Sequence, residues 1–167
     1  MDHDTKRVKL IKAMTEYEAD APHRVAHFMK VYGFTQTICN LENVDEDTRL
    51  IVETTAIIHD IGIRPALIKY GSSAGTYQQE LGTAPTRDML SQIGFSEQVI
   101  DRACFLVSQH HSYSNIEGLD YQILVEADFL VNILEEEMLG EAVKHVYDNI
   151  FKTKSGKWFC KTMYMKN

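Results

Sequence analysis

Apolar residues recur along this chain at three- and four-residue spacing almost throughout. No two neighbouring runs alternate strictly as strands would, so the pattern predicts an all-α fold. Residues 5–19 place Val8, Leu10, Ile11 and Met14 on one face of a short helix. Asp20 is the expected N-cap of the next helix, with Pro22 tolerated in its first turn. In that helix His27, Val31, Phe34 and Ile38 follow at i, i+4, i+7 and i+11, which sets an imidazole on the core-facing stripe. The polar break from Asn43 to Asp47 starts a third helix, which runs into Thr54-Thr55-Ala56-Ile57-Ile58-His59-Asp60-Ile61-Gly62. Gly62 suits a left-handed position closing that helix.

Residues 63–77 read as a long loop, and a loop of that length in a compact domain is more often functional than idle. Pro85 implies a helix that starts near Thr83 or is kinked there, and Gly94 ends it. Ser96 caps the next helix, where Val99, Ala103, Leu106 and His110 form one stripe. Ile100, Cys104, Val107 and His111 form a second, so periodicity does not decide which histidine points inward. Asp120 caps a helix carrying Leu124, Asp128 and Val131 on one face. Glu135-Glu136-Glu137 read as a solvated face. Leu139, Val143, Val146, Tyr147 and Ile150 mark a covering helix over about 139–151. The tail from Lys152 to Asn167 reads as a packed-back arm.

Composition narrows the picture. A chain of 167 residues without repeats, low-complexity tracts or linkers is most simply one domain, 1–167, with a C-terminal helix and tail at 139–167. Its apolar runs fall short of the roughly 20 residues that span a bilayer, so no membrane partner is expected. The polar start, Met1-Asp2-His3-Asp4-Thr5-Lys6, is unlike a signal peptide, and the expected location is cytoplasmic. A net charge of −7 argues against binding a nucleic-acid polymer, because no basic stripe is available to displace counterions. It leaves room for a small phosphorylated ligand, since a bound metal inverts the field locally. Cys39, Cys104 and Cys160 are odd in number and widely spaced, and read as reduced packing residues. Apolar surface on the terminal helices could make a homodimer.

The chemistry lies in polar groups on apolar stripes. A buried imidazole and carboxylate are costly unless something satisfies both, and a divalent metal does so at once. Asp128 sits among Ile123, Leu124, Val125, Phe129 and Leu130, with no Lys or Arg between Arg102 and Lys144, so its counter-charge must come from elsewhere in the fold. His27, His59, Asp60 and Asp128 thus arrive from three helices. Two neutral imidazoles and two carboxylates suit a divalent ion of the Mn, Fe, Co, Ni or Zn sort, with Mg also admitted. Each residue alone is more simply a hydrogen-bonded core group, and only the joint pattern favours a metal.

That pattern resembles the HD superfamily of metal-dependent phosphohydrolases. The resemblance is carried by Arg24-Val25-Ala26-His27 with Lys30-Val31, by Ile57-Ile58-His59-Asp60-Ile61-Gly62, by Gln109-His110-His111 and by Val125-Glu126-Ala127-Asp128. It covers roughly residues 20–132 and implies an HD-domain helical bundle. It further implies that His27, His59, Asp60 and Asp128 hold a first metal, with Asp60 bridging to a second in dinuclear members. His110 matches one histidine of that second position. The other is absent, its region reading Tyr77-Gln78-Gln79-Glu80-Leu81-Gly82. Glu80 could replace it as an oxygen ligand, or act as general acid or base. His111 is expected to contact substrate or support a ligand. The Gly-Tyr-Pro tripeptide of cyclic-dinucleotide phosphodiesterases does not follow His110-His111, and the acidic pair of alarmone hydrolases is missing after Asp60.

The expected activity is hydrolysis of a nucleotide or similar small phosphoester by metal-activated water. Arg24, Arg64 and Lys69 are the expected phosphate contacts, Lys69 foremost, with Glu80 or His111 moving the proton. Two other classes compete: a metal- and nucleotide-binding regulatory module without turnover, and a di-iron oxygenase, against which the missing histidine counts.

Overall fold

The computed structural model describes residues 2–165, and among them it contains nine helices and no strand. They are α1 (His3–Tyr17), α2 (Pro22–Leu41), α3 (Glu46–Ile58), α4 (Ile63–Tyr70), α5 (Gly75–Ile93), α6 (Glu97–Gln109), α7 (Leu119–Glu135), α8 (Gly140–Asn149) and α9 (Lys154–Tyr164). Met1 and the last two residues of the expected C-terminal arm, 166 and 167, lie outside the described residues.

The bundle is built round α3, which is buried on every face from Leu50 to Ile58. A helix apolar all round belongs at the centre, and α3 packs against α1, α2, α6 and α7. It begins at Asp45, whose carboxylate accepts from Thr48 N at 2.9 Å, a cap of the kind the polar break predicts. The second central helix, α7, lies against α2 and α3 and buries Ile123, Leu124, Val125, Ala127, Leu130 and Val131. These two helices carry His59-Asp60 and Asp128 into one interior.

Several local expectations change. Asp20 is not the N-cap of α2: it has φ of +70° and Ala21 takes the cap position. Val8 turns outward at 66% exposure while Leu10 and Met14 are buried. Gly62 is not left-handed, having φ of −69°. It is required by close approach, since a Cβ there would meet the main chain of Gln78. The expected loop 63–77 is mostly helix, because Leu67 O accepts from the Gly71 N–H and residues 63–70 wind into α4. Only about one turn of irregular chain precedes α5. Pro85 neither starts nor ends a helix; it sits inside α5, which runs unbroken to the left-handed Gly94. Asp120 gives its cap position to Gly118 and accepts instead from Arg102 Nε at 2.7 Å.

At the C-terminal end, Val143, Val146 and Ile150 are buried as expected of a covering helix, while Leu139 is 81% exposed. The tail forms α9, which packs on α7 and buries Cys160, while Phe151, just before it, is fully buried as well. One link is Glu126, a wholly buried carboxylate on α7. It accepts from Lys152 N at 2.6 Å, Thr153 N at 2.9 Å, Gln122 Nε2 at 2.7 Å and the Thr153 hydroxyl. No helix among the described residues is long and apolar enough to cross a membrane.

Candidate metal centre

His59 stands at the end of α3 and His110 at the end of α6, where the last-turn carbonyls have no helical partner. Each imidazole uses one of them: His59 Nδ1 donates to Ala56 O and His110 Nδ1 to Val107 O, both at 2.9 Å. His27 lies inside α2, where no such carbonyl is free, and its Nδ1 donates to Glu135 Oε2 of α7 at 2.8 Å. All three rings therefore spend their Nδ1–H on those bonds and turn Nε2 inward, the nitrogen whose lone pair a cation takes once its own proton has left.

Those nitrogens converge on two carboxylates. His27 Nε2 lies 3.3 Å from His59 Nε2 and 3.1 Å from Asp128 Oδ1, and His59 Nε2 is 3.6 Å from the same oxygen. Asp60 Oδ2 is 3.5 Å from both imidazoles, while its other oxygen, Oδ1, faces His110 Nε2 at 3.4 Å. Ligands about 2.0–2.2 Å from one ion are separated by about 3.0–3.4 Å, so the spacing fits a shared divalent cation. A further observation points the same way: His110 Nε2, on a ring 1% exposed, has no hydrogen-bond partner. The donor set fits a first-row divalent ion. His27, His59 and Asp60 form one group that could hold it, and Asp60, His110 and His111 a second.

The charges agree. Burial alone would push the Asp60 carboxyl up, but the His59 and His110 imidazoles hold it below the usual carboxylate range. Asp128 is depressed likewise, its burial outweighed by bonds from His27 and His59. Burial resists a proton on His27, yet Asp128, Asp60 and Glu135 together raise it to about 9. Among the described residues no Lys or Arg pairs with these interior carboxylates, so positive charge must come from bound protons or from a metal. None of the cysteines contributes. All three are buried, and burial pushes the Cys39 thiol up to about 12 and Cys160 up to about 11.

A cavity of about 730 Å³ opens onto His27 and Asp60, lined also by His23, Arg24, Lys30, Ile63, Leu67 and Glu135. Arg24 is on its wall, bound to Glu18 at 2.7 Å. The other expected phosphate contacts are not. Arg64 reaches back to Ala19 O at 3.0 Å and lies over the Tyr17 ring, because the winding of α4 turns it away. Lys69 pairs with Glu80 at 3.0 Å, outside the cavity lining. Glu80 also accepts from Tyr70 at 2.7 Å and is half exposed. Glu80 thus stands on the exposed face of α5 with its carboxylate taken up by Lys69 and Tyr70, and it belongs to neither group of side chains that could hold a metal. The inward residue of that turn is Gln78. Its Nε2 donates to Ser73 O at 2.7 Å, leaving Oε1 to meet His111 Nε2 at 3.2 Å.

The sequence pattern gave Lys30 no part in the site and left Glu135 on a solvated face. Glu135 is not merely a solvated acid: Lys30 Nζ donates to its Oε1 at 2.6 Å while its Oε2 takes the His27 proton. Both could be found from helical register, since Glu135 follows Asp128 by seven residues and Lys30 follows His27 by three. A separate cavity of about 550 Å³ lies by α1 and α3, where Arg7 and Arg49 already serve the buried Glu53.

No family sequence model matches the chain, and no curated protein sequence matches it. Its backbone is similar to a crystal structure of a predicted HD superfamily hydrolase from an uncultured Thermotogales bacterium. The TM-score is 0.67 at 19% identity, over 93% of this chain and 83% of that one. The likeness shows the fold, an all-α helical bundle of the HD type.

Proposed function

We propose that this chain is a metal-dependent phosphohydrolase of the HD superfamily, acting on a nucleotide or a similar small phosphoester. One observation carries the reading: three imidazoles, each with Nδ1–H tied down, turn Nε2 toward Asp60 and Asp128, with neighbouring ligand atoms 3.1–3.6 Å apart. His27, His59, Asp60 and Asp128 would hold the metal, and Asp60 Oδ1 with His110 and His111 would hold a second. A divalent ion supplies Lewis-acid polarisation of a phosphoryl oxygen and a lowered pKa for water.

The chain's own groups do the rest. The cavity over His27 and Asp60 has room for a small phosphoester, and Arg24 and Lys30 on its wall are the cations that would meet a phosphate oxygen. Both cations are already matched by carboxylates, so an incoming phosphate competes with Glu18 and Glu135 for them. Ile63, Leu67 and Ala26 give the cavity an apolar side for the rest of the substrate. Burial and the neighbouring His110 depress the His111 imidazole to about 4, which keeps it neutral at physiological pH. With its Nε2–H turned to Gln78 Oε1, the neutral ring keeps a single lone pair, which would hold the second cation or, in a one-metal site, accept a hydrogen bond from the attacking water.

The test is turnover of a broad phosphoester panel with Mn, Co, Ni, Fe or Mg added to the purified chain. Metal-dependent release of phosphate in wild type, abolished in Asp60→Ala, is the expected result. Activity that persists unchanged in Asp60→Ala rejects the assignment.

A further inference from the structure

The three inward-facing imidazoles are not oriented alike. His59 and His110 are fixed by main-chain carbonyls three residues back in their own helices, an arrangement complete once α3 and α6 have formed. His27 depends on a side chain from another helix. Among the described residues, its one orienting contact at Nδ1 is Glu135 Oε2, across the interface between α2 and α7. A ring free to turn about its side-chain bonds would lose the inward direction of Nε2, and its tautomer with it.

Glu135 stands where helix energetics do not favour it. It is the last residue of α7, and an acid there faces the negative end of the helix dipole. Two cationic or proton-donating partners offset that cost: the His27 Nδ1–H on one oxygen and the Lys30 ammonium on the other, at 2.8 Å and 2.6 Å. Lys30 leaves α2 one turn after His27, so both contacts come from the same helix face and hold the carboxylate between them. Glu135 is about one-third exposed and forms part of the wall of the 730 Å³ cavity.

We propose that Glu135 is a positioning residue for His27: its carboxylate, held by Lys30, fixes the imidazole so that Nε2 joins His59, Asp60 and Asp128 round one cation. The inference rests on the metal-binding reading above and adds to it a residue outside the ligand set. Because the orienting group lies on the cavity wall and shares Lys30 with it, ligand at the rim and metal in the interior are linked through one carboxylate.

The experiment measures Mn²⁺ and Co²⁺ affinity of the full chain by titration calorimetry, in wild type, Glu135→Ala and Glu135→Gln, with far-UV circular dichroism to verify folding. Glu135→Ala is expected to weaken binding about 10–100-fold. Glu135→Gln keeps one oxygen that accepts from Nδ1–H but turns its NH2 toward the Lys30 ammonium, donor against donor, so it is expected to recover only part of the loss. That rescue separates orientation of the ring from simple loss of a negative charge. Binding by Glu135→Ala as tight as wild type overturns the proposal, and so does a Gln variant as weak as the Ala one. A wild type that binds neither ion refutes the metal-binding reading itself, an outcome distinct from the other two.

Discussion

A proton and a metal compete for the same lone pairs at His27. In the metal-free protein the Asp128 and Asp60 carboxylates and Glu135 raise that imidazole to about 9, against an ordinary value of 6.5. A raised pKa means that the folded state binds the proton more tightly than the unfolded one. The resulting stability is fully present below pH 6.5 and is lost as the pH rises through about 9, by roughly 3 kcal/mol at most. Thermal melts in EDTA between pH 6.5 and 9.5 should therefore show falling stability, and a flat profile would contradict it. Metal affinity should move the other way, tightening across the same window as the competing proton leaves. Asp60 and Asp128 add a separate acid limb. Their depressed carboxyls stabilise the fold above the ordinary carboxylate range and lose that contribution as the pH falls below it.

At the scale of elements, two carboxylates tie down the C-terminal arm: Glu126 of α7, and Glu42 at the end of α2, which accepts from Ser155 N at 2.6 Å. Glu126 accepts two main-chain N–H groups and a hydroxyl from the segment leading into α9, and a Cβ at Gly156 would collide with it. Glu126→Ala leaves those donors buried without partners, at a cost of about 3 kcal/mol or more in urea unfolding. Loss below 1 kcal/mol would mean that Glu42 and the apolar contacts of the arm dock it without Glu126. The segment after the His-Asp pair shows why local reading fails between helices. Gly, Ser and Pro between residues 62 and 77 suggest a loop, yet Gly62 serves close packing against Gln78 and Pro65 falls in the first turn of α4, where it costs nothing. Once α4 forms, Arg64 and Lys69 turn away from the cavity that a loop would have let them enter.

For the whole molecule, the consequence of a shared cation is stability as well as chemistry. A ligand that binds only the folded state stabilises it by about 2.7 kcal/mol at a hundred times its dissociation constant. For a chain of this size that corresponds to a rise of about 5–10 °C in Tm. Melting curves with Mn²⁺ at that ratio and with excess EDTA should differ by that amount in wild type and coincide in Asp128→Ala. A wild-type shift of less than 1 °C would show that the ligand groups do not close on an ion. The net charge of −7 bears on this as well, since a cation bound in the interior relieves part of a field that no basic patch balances.

Most of the helices, though not α4 or α9, their apolar stripes and the four polar groups lying on those stripes were legible in the sequence, because the 3.6-residue period is local and a polar residue on an apolar face is a visible exception. Periodicity alone left His110 and His111 undecided, and resemblance offered Glu80 where a histidine was missing. Only tertiary structure could turn His110 inward, pair Glu80 with Lys69 and Tyr70, and bring Glu135 across to His27. The physical reason is the same in each case. A side chain's partner on another helix depends on how two cylinders are rotated and slid against each other, and the spacing of residues along one of them carries no record of that.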